Sequence, residues 1–191
     1  LREIDMNPSS EPLVEKTLEK YSGLVSELRR TFEALRGENR RLKRQPNGDD
    51  IDLEAAVEAQ AEARAGHEVS ERLFTQVRRL DRDTAVMFMV DVSGSTKGWI
   101  NDAERESLVL LCEAVEILGD QYAIYGFSGM TRKRCELYRI KRFDDAYDDQ
   151  VKARIAGIRP QDYTRMGVTI RHLTKLLQAV EARTQLLITL S

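Results

Sequence analysis

Apolar residues recur at threes and fours near the start of the chain: Leu13, Tyr21, Leu24, Leu28, Phe32 and Leu35, with Thr17 in the same series. That spacing predicts one amphipathic helix running to about Arg36. Pro12 falls in its first turn, Ser10 is the candidate N-cap, and Gly37 follows its last turn. Residues 1–10 show no periodicity, and Asn7-Pro8-Ser9-Ser10 is turn chemistry, so this stretch is expected to be irregular. A basic run, Arg36, Arg40, Arg41, Lys43 and Arg44, leads into the breaker cluster Gln45-Pro46-Asn47-Gly48-Asp49-Asp50. Ile51 to about Arg64 is rich in Ala and Glu and predicts a second helix, ending near Gly66. The apolar stripe of this region is thin. Residues 1–66 are therefore expected to form a helical arm with a basic linker rather than a unit with its own core.

The pattern changes after Val69. Leu73–Val77 predicts a short strand, the hairpin partner of the next one. Ala85-Val86-Met87-Phe88-Met89-Val90 is continuously apolar, as expected of a strand covered on both faces. A helix is predicted over 102–118, with Asn101 as cap and Glu104 completing a capping box. Its apolar stripe is Leu108, Leu111, Cys112, Val115 and Leu118, and Gly119 stops it. Strands follow at Tyr122–Phe127 and Glu136–Ile140, then helices at Val151–Ile158 and Met166–Ala182. The second of these helices should turn Ile170, Leu173, Leu177 and Val180 inward, and Leu186–Leu190 should be a final buried strand. This alternation predicts an α/β domain over 67–191, a mostly parallel sheet flanked by helices. The block from Ala85 supplies about four strands plus the hairpin partner, where a doubly wound sheet holds five or six. The domain is thus expected to be incomplete at its C-terminal side.

Composition narrows the function classes. The formal net charge is −2, so no global field draws the chain to nucleic acid, and the basic run beside Glu38 fits a solvated linker. No apolar run approaches the roughly 20 residues of a membrane span. The two cysteines, Cys112 and Cys135, form no CxxC pair, which fits a cytoplasmic protein, and Cys112 lies on an apolar helix stripe. Asp144, Asp145, Asp148 and Asp149 lack the EF-hand spacing and fit a solvated loop. His67 and His172 form no ligand pair and are expected at the surface.

The chemistry concentrates in Asp91-Val92-Ser93-Gly94-Ser95, directly after the most apolar strand. In open α/β sheets, ligands bind beyond the carboxyl ends of the strands. The D-x-S-x-S spacing sets one carboxylate and two hydroxyls around one tight loop, a hard oxygen environment suited to Mg²⁺ with retained waters. The plain alternative is a polar turn leading into the next helix. A nucleophile elbow requires glycine where Asp91 stands. A phosphoaspartate site with a second Asp two residues on meets Ser93 instead, and no phosphate-binding G-x-x-x-x-G-K-[ST] run exists. The second element is Asp162-Tyr163-Thr164-Arg165-Met166-Gly167. Asp162 or Thr164 could simply cap the helix that follows, or the Thr164 hydroxyl could complete a metal shell. Trp99 and Arg165, beside the two elements, are candidates for partner contact. A metal-dependent hydrolase would need a general base at the metal, and the sequence offers none that convinces, so no catalytic residue is assigned.

The apolar strand ending in Asp91-Val92-Ser93-Gly94-Ser95, the separate Thr164 and the strand Leu186–Leu190 together resemble the metal-ion-dependent adhesion site of von Willebrand factor A domains. The stretches Lys97–Asp102, Tyr125–Gly129 and Tyr163–Gly167, with Gln45-Pro46-Asn47-Gly48-Asp49, narrow the similarity to one bacterial branch. That branch holds the CbbO-type subunits of rubisco activases and the NorD-type subunits of nitric oxide reductase activation. The resemblance implies that Ser93, Ser95 and Thr164 bind Mg²⁺ directly and that Asp91 acts mainly through water. It implies a further Asp after the strand Leu186–Leu190, beyond Ser191. It also implies a non-catalytic adaptor that couples a hexameric MoxR-type AAA+ ATPase to a target, whose acidic side chain enters the metal's open position. The main expectation is rubisco activation, acting on the rubisco large subunit and releasing inhibitory sugar phosphates. The alternative is nitric oxide reductase activation.

Overall fold

The structure is a computed structural model. It describes residues 1–191 apart from 38, 80–82, 132–133, 162 and 164–165, and it also leaves aside the side chains of 35–37, 39–41, 77–79, 96, 130–131 and 134. In chain order the elements are β1 (Arg2–Asp5), α1 (Leu13–Lys20), α2 (Ser22–Gly37), β2 (Asn39–Gln45), β3 (Asp50–Ile51), α3 (Leu53–Arg64), β4 (Phe74–Arg79), β5 (Thr84–Asp91), α4 (Trp99–Leu118), β6 (Gln121–Thr131), β7 (Arg134–Lys141), α5 (Asp149–Ala156), α6 (Met166–Gln178) and β8 (Thr184–Leu190). The chain divides into two compact units, Leu1–Glu33 with Arg82–Ser191, and Ala34–Asp81.

The first unit is α/β. Among the described residues its sheet has five strands in the order β1-β7-β6-β5-β8. β5 runs parallel to β6 and β8, β1 runs parallel to β7, and β6 and β7 are antiparallel. Side chains alternate across a strand, and β5 shows the result. Val86, Phe88 and Val90 enter one apolar layer with Leu108, Val109 and Cys112 of α4, Leu13 and Val14 of α1, and Val151 and Ile155 of α5. Ala85, Met87 and Met89 enter the opposite layer, with Leu173 and Leu177 of α6. A strand covered on both faces can be apolar throughout, which is why its sequence does not alternate. α4 stops where Gly119 adopts a left-handed φ of 72° and donates its N–H to the carbonyls of Val115 and Glu116.

Several expectations for this unit are corrected. Residues 1–10 are not wholly irregular, because Arg2–Asp5 pairs with Glu136–Arg139 as β1, and Met6 is buried in the core. The pairing is non-local, so nothing in the short segment announces it. The long first helix is interrupted at Tyr21, whose hydroxyl donates to Glu106 of α4 at 2.7 Å, and Pro12 rather than Ser10 stands at the cap of α1. Among the described residues β8 pairs with β5, and Leu186 is 45% exposed; Ile170 of α6 is exposed as well.

Of the expected arm and linker over 1–66, residues 1–33 fall in the first unit and the remainder falls in the second. The basic run contributes β2, and β2 and β3 flank β4 in an antiparallel sheet. β4 therefore finds its partners here and is not the hairpin partner of β5. A register shift between Leu42 and Gln45 coincides with a positive φ at Arg44, as expected of a bulge. Asp52 caps α3 by accepting from the Ala55 N–H, and Ala55 and Ala59 are buried. Lys43 and Arg44 pair with Glu54 and Glu58 of α3. These exposed pairs contribute little stability, but they give the strand's basic residues a local partner.

The two apolar layers around β5 set the stability of the first unit. Phe88→Ala should cost about 3–5 kcal/mol, while Leu186→Ala, at a half-exposed site, should cost under about 1.5 kcal/mol. Urea unfolding of both variants checks the contrast.

Candidate functional site

β5 carries Asp91 to the carboxyl end of the sheet, opposite Phe127 of β6. The next residue is held from two sides. The Val92 N–H donates to the Phe127 carbonyl at 3.0 Å, and the Val92 carbonyl accepts from the Gln161 N–H at 2.6 Å. Tyr163 and Gly129 also exchange backbone hydrogen bonds. Gly126 makes room for this packing, since a Cβ there would lie 2.7 Å from Val92 Cγ2.

On this fixed base the loop folds into a single 3-10 turn over Gly94–Thr96. Asp91, 5% exposed, accepts the Ser93 N–H on Oδ1 at 2.8 Å. The Ser93 and Ser95 hydroxyls are hydrogen-bonded to each other at 2.7 Å. Ser93 is 1% exposed while Ser95 faces solvent, so the oxygens run from the interior to the surface. The sequence-predicted trio Asp91, Ser93 and Ser95 is thus brought together. Thr164 and Arg165, with Asp162, lie outside the described residues. Trp99 opens α4 at the same end of the sheet and is 78% exposed, and Tyr163 is also exposed.

Sequence reasoning missed Glu104. α4 begins at Trp99 after Gly98, so Asn101 and Glu104 lie inside the helix and the expected capping box does not form. Glu104 is 8% exposed. Neither of its carboxylate oxygens, nor the Asn101 side-chain nitrogen, has a hydrogen-bond partner among the described residues. Burial, and then the charge of Asp91, push the Glu104 carboxyl up to about 7. A signal was present in the sequence: Glu104 stands four residues before Leu108, on the helix stripe that faces the core.

The donors available for a cation are oxygens only. Asp91, Ser93 and Ser95 offer a carboxylate and two hydroxyls, and the charge of Asp91 reaches Glu104 on α4. Such a set fits Mg²⁺, which favours oxygen and keeps several waters.

The pH dependence of Glu104 follows from its raised value. A carboxyl that is harder to ionise when folded loses stability as pH rises from its ordinary 4.5 through about 7. With a chelator present, Glu104→Gln should therefore stabilise the protein by about 1–3 kcal/mol near pH 8 and leave it unchanged near pH 4. Urea unfolding at the two pH values reads the difference.

No family model matches the chain. Curated relatives do. An uncharacterised protein of Pseudomonas aeruginosa is 38% identical over 170 residues, which is 86% of this chain and 28% of that protein. Protein NorD of Stutzerimonas stutzeri is 34% identical over 175 residues, covering 88% of this chain and 29% of its own length. Protein NorD of Brucella abortus is 36% identical over 173 residues, 88% of this chain and 27% of the relative. The chain thus spans under a third of the length of the curated relatives it matches, and along most of its own length it is similar to a segment of the NorD proteins.

Proposed function

We propose that this chain is the metal-site segment of a NorD-type accessory protein that serves nitric oxide reductase activation. The observation that carries the reading is the 34–36% identity to proteins named NorD over 88% of the chain. It favours the nitric oxide reductase reading over the rubisco one. In this reading the α/β unit is a von Willebrand factor A domain, and the protein is a non-catalytic adaptor for a MoxR-type AAA+ ATPase. The loop Asp91–Ser95 holds Mg²⁺, with Thr164 contributing a further hydroxyl.

The physical support lies in how the loop is built. Asp91 and Ser93 are buried and cross-linked, while Ser95 is open to solvent. A cation seated there is held from the protein side and has an open side toward solvent. A carboxylate from a target could enter that side, and the attraction would strengthen in a site shielded from water. Exposed Trp99 would contribute apolar contact beside it, and Arg165 a charge. Among the described residues no helix is long and apolar enough to cross a membrane.

Asp91→Ala and Ser93→Ala, placed in the complete protein, should each lower nitric oxide reductase activity in cells by at least about 10-fold, in line with losses at metal sites. Circular dichroism should show the fold retained. Full nitric oxide reduction with both variants would refute the metal-site role. Reactivation of inhibited rubisco by the wild type would return the target to the rubisco reading.

A further inference from the structure

We propose that Glu104 is a further carboxylate of the cation site, supplied by α4 instead of by the loop, so that one bound cation offsets two buried negative groups. The proposal rests on the reading of Asp91–Ser95 as a Mg²⁺ site.

Burial is the first argument. Ionised carboxylates taken out of water need a counter-charge or hydrogen bonds, and both oxygens of Glu104 are buried without a partner among the described residues. Its local explanation fails as well, because α4 starts too early for Glu104 to close a capping box. The nearest cation in sequence is engaged elsewhere through both terminal nitrogens, its Nε alone lacking a partner among the described residues. Arg105 donates through Nη1 to Glu11 at 2.9 Å and to the Ala156 carbonyl at 3.0 Å, and through Nη2 to Asp102 at 2.6 Å.

The direction of the interaction is the second argument. The charge that acts on Glu104 is that of Asp91, the buried carboxylate at the head of the loop. Two such groups repel, and one divalent cation reverses the sign of that relation. One turn earlier on α4, the buried Asn101 side-chain nitrogen also lacks a partner among the described residues. Bound Mg²⁺ keeps several waters, from which a nearby carboxylate can accept hydrogen bonds. Glu104 acts as a positioning residue that raises affinity through charge and through bonds to such waters, without touching the target.

The test is calorimetric titration of the complete protein with Mg²⁺ alone, for the wild type, Glu104→Gln, Glu104→Met and Leu108→Ala. Glu104→Gln keeps the shape and removes the charge, and Glu104→Met does the same with an apolar chain. Both should bind Mg²⁺ about 10–100-fold more weakly while remaining folded. Leu108→Ala loosens the same helix face but keeps the charge, and should hold affinity near the wild-type value. Wild-type affinity in both Glu104 variants overturns the proposal, as does an equal loss in Leu108→Ala. Absence of Mg²⁺ binding by the wild type overturns the underlying metal-site reading instead, and this inference with it.

Discussion

The burial of β5 on both faces is the constraint on which the rest of the site depends. Phe88 and Val90 are locked against α1, α4 and α5, while Met87 and Met89 are locked on the side of α6. A slip of one residue would exchange the two sets and misfit both layers. The strand's end is therefore fixed in space, and the residue found there is a carboxylate. Val92 is then tied to β6 and to Gln161, so the loop inherits the rigidity of the sheet. A binding constellation built on such a strand needs little ordering when a ligand arrives.

Charged groups in the core show how the fold manages polarity. Arg105 is buried and finds partners in Glu11 just before α1, in its own helix and at the end of α5. Lys141 is buried too, and burial pushes its ammonium below the ordinary lysine range. It donates to the carbonyls of Tyr122 and Arg142 and lies 4.0 Å from the centre of the Tyr122 ring. In both cases neighbouring protein groups hold the cation. Glu104 contrasts with them, an acid beside another acid.

What the sequence made legible depended on how local the cause was. The continuous apolar run of β5, the stripe of α4 and its glycine stop each arise within one element, and each was readable. β1 was not, because Arg2 meets Glu136 only after the sheet is assembled. β2 escaped notice for a different reason, since a strand of Arg and Lys lacks the alternation that announces a buried face. Periodicity marks Leu186 and Ile170 as apolar positions on a strand and a helix, and carries no information on what covers them. At the site, Asp91, Ser93 and Ser95 were evident from spacing. Glu104 was hidden by competition between two rules, because the capping-box pattern and the helix stripe both claim it. The actual start of α4 at Trp99 settles the matter for the stripe.

The place of β1 also sets an order of events during synthesis. β2, β3, α3 and β4 are neighbours in the chain, so their sheet closes over short loops and can form early. β1 leaves the ribosome before any of them, yet its partner β7 is made long afterwards. Throughout that interval Arg2–Asp5 lacks its native partner strand β7. Non-local pairings of this kind are slow and leave surface open to association. The segment is short and half charged, which limits what it can attract while it waits.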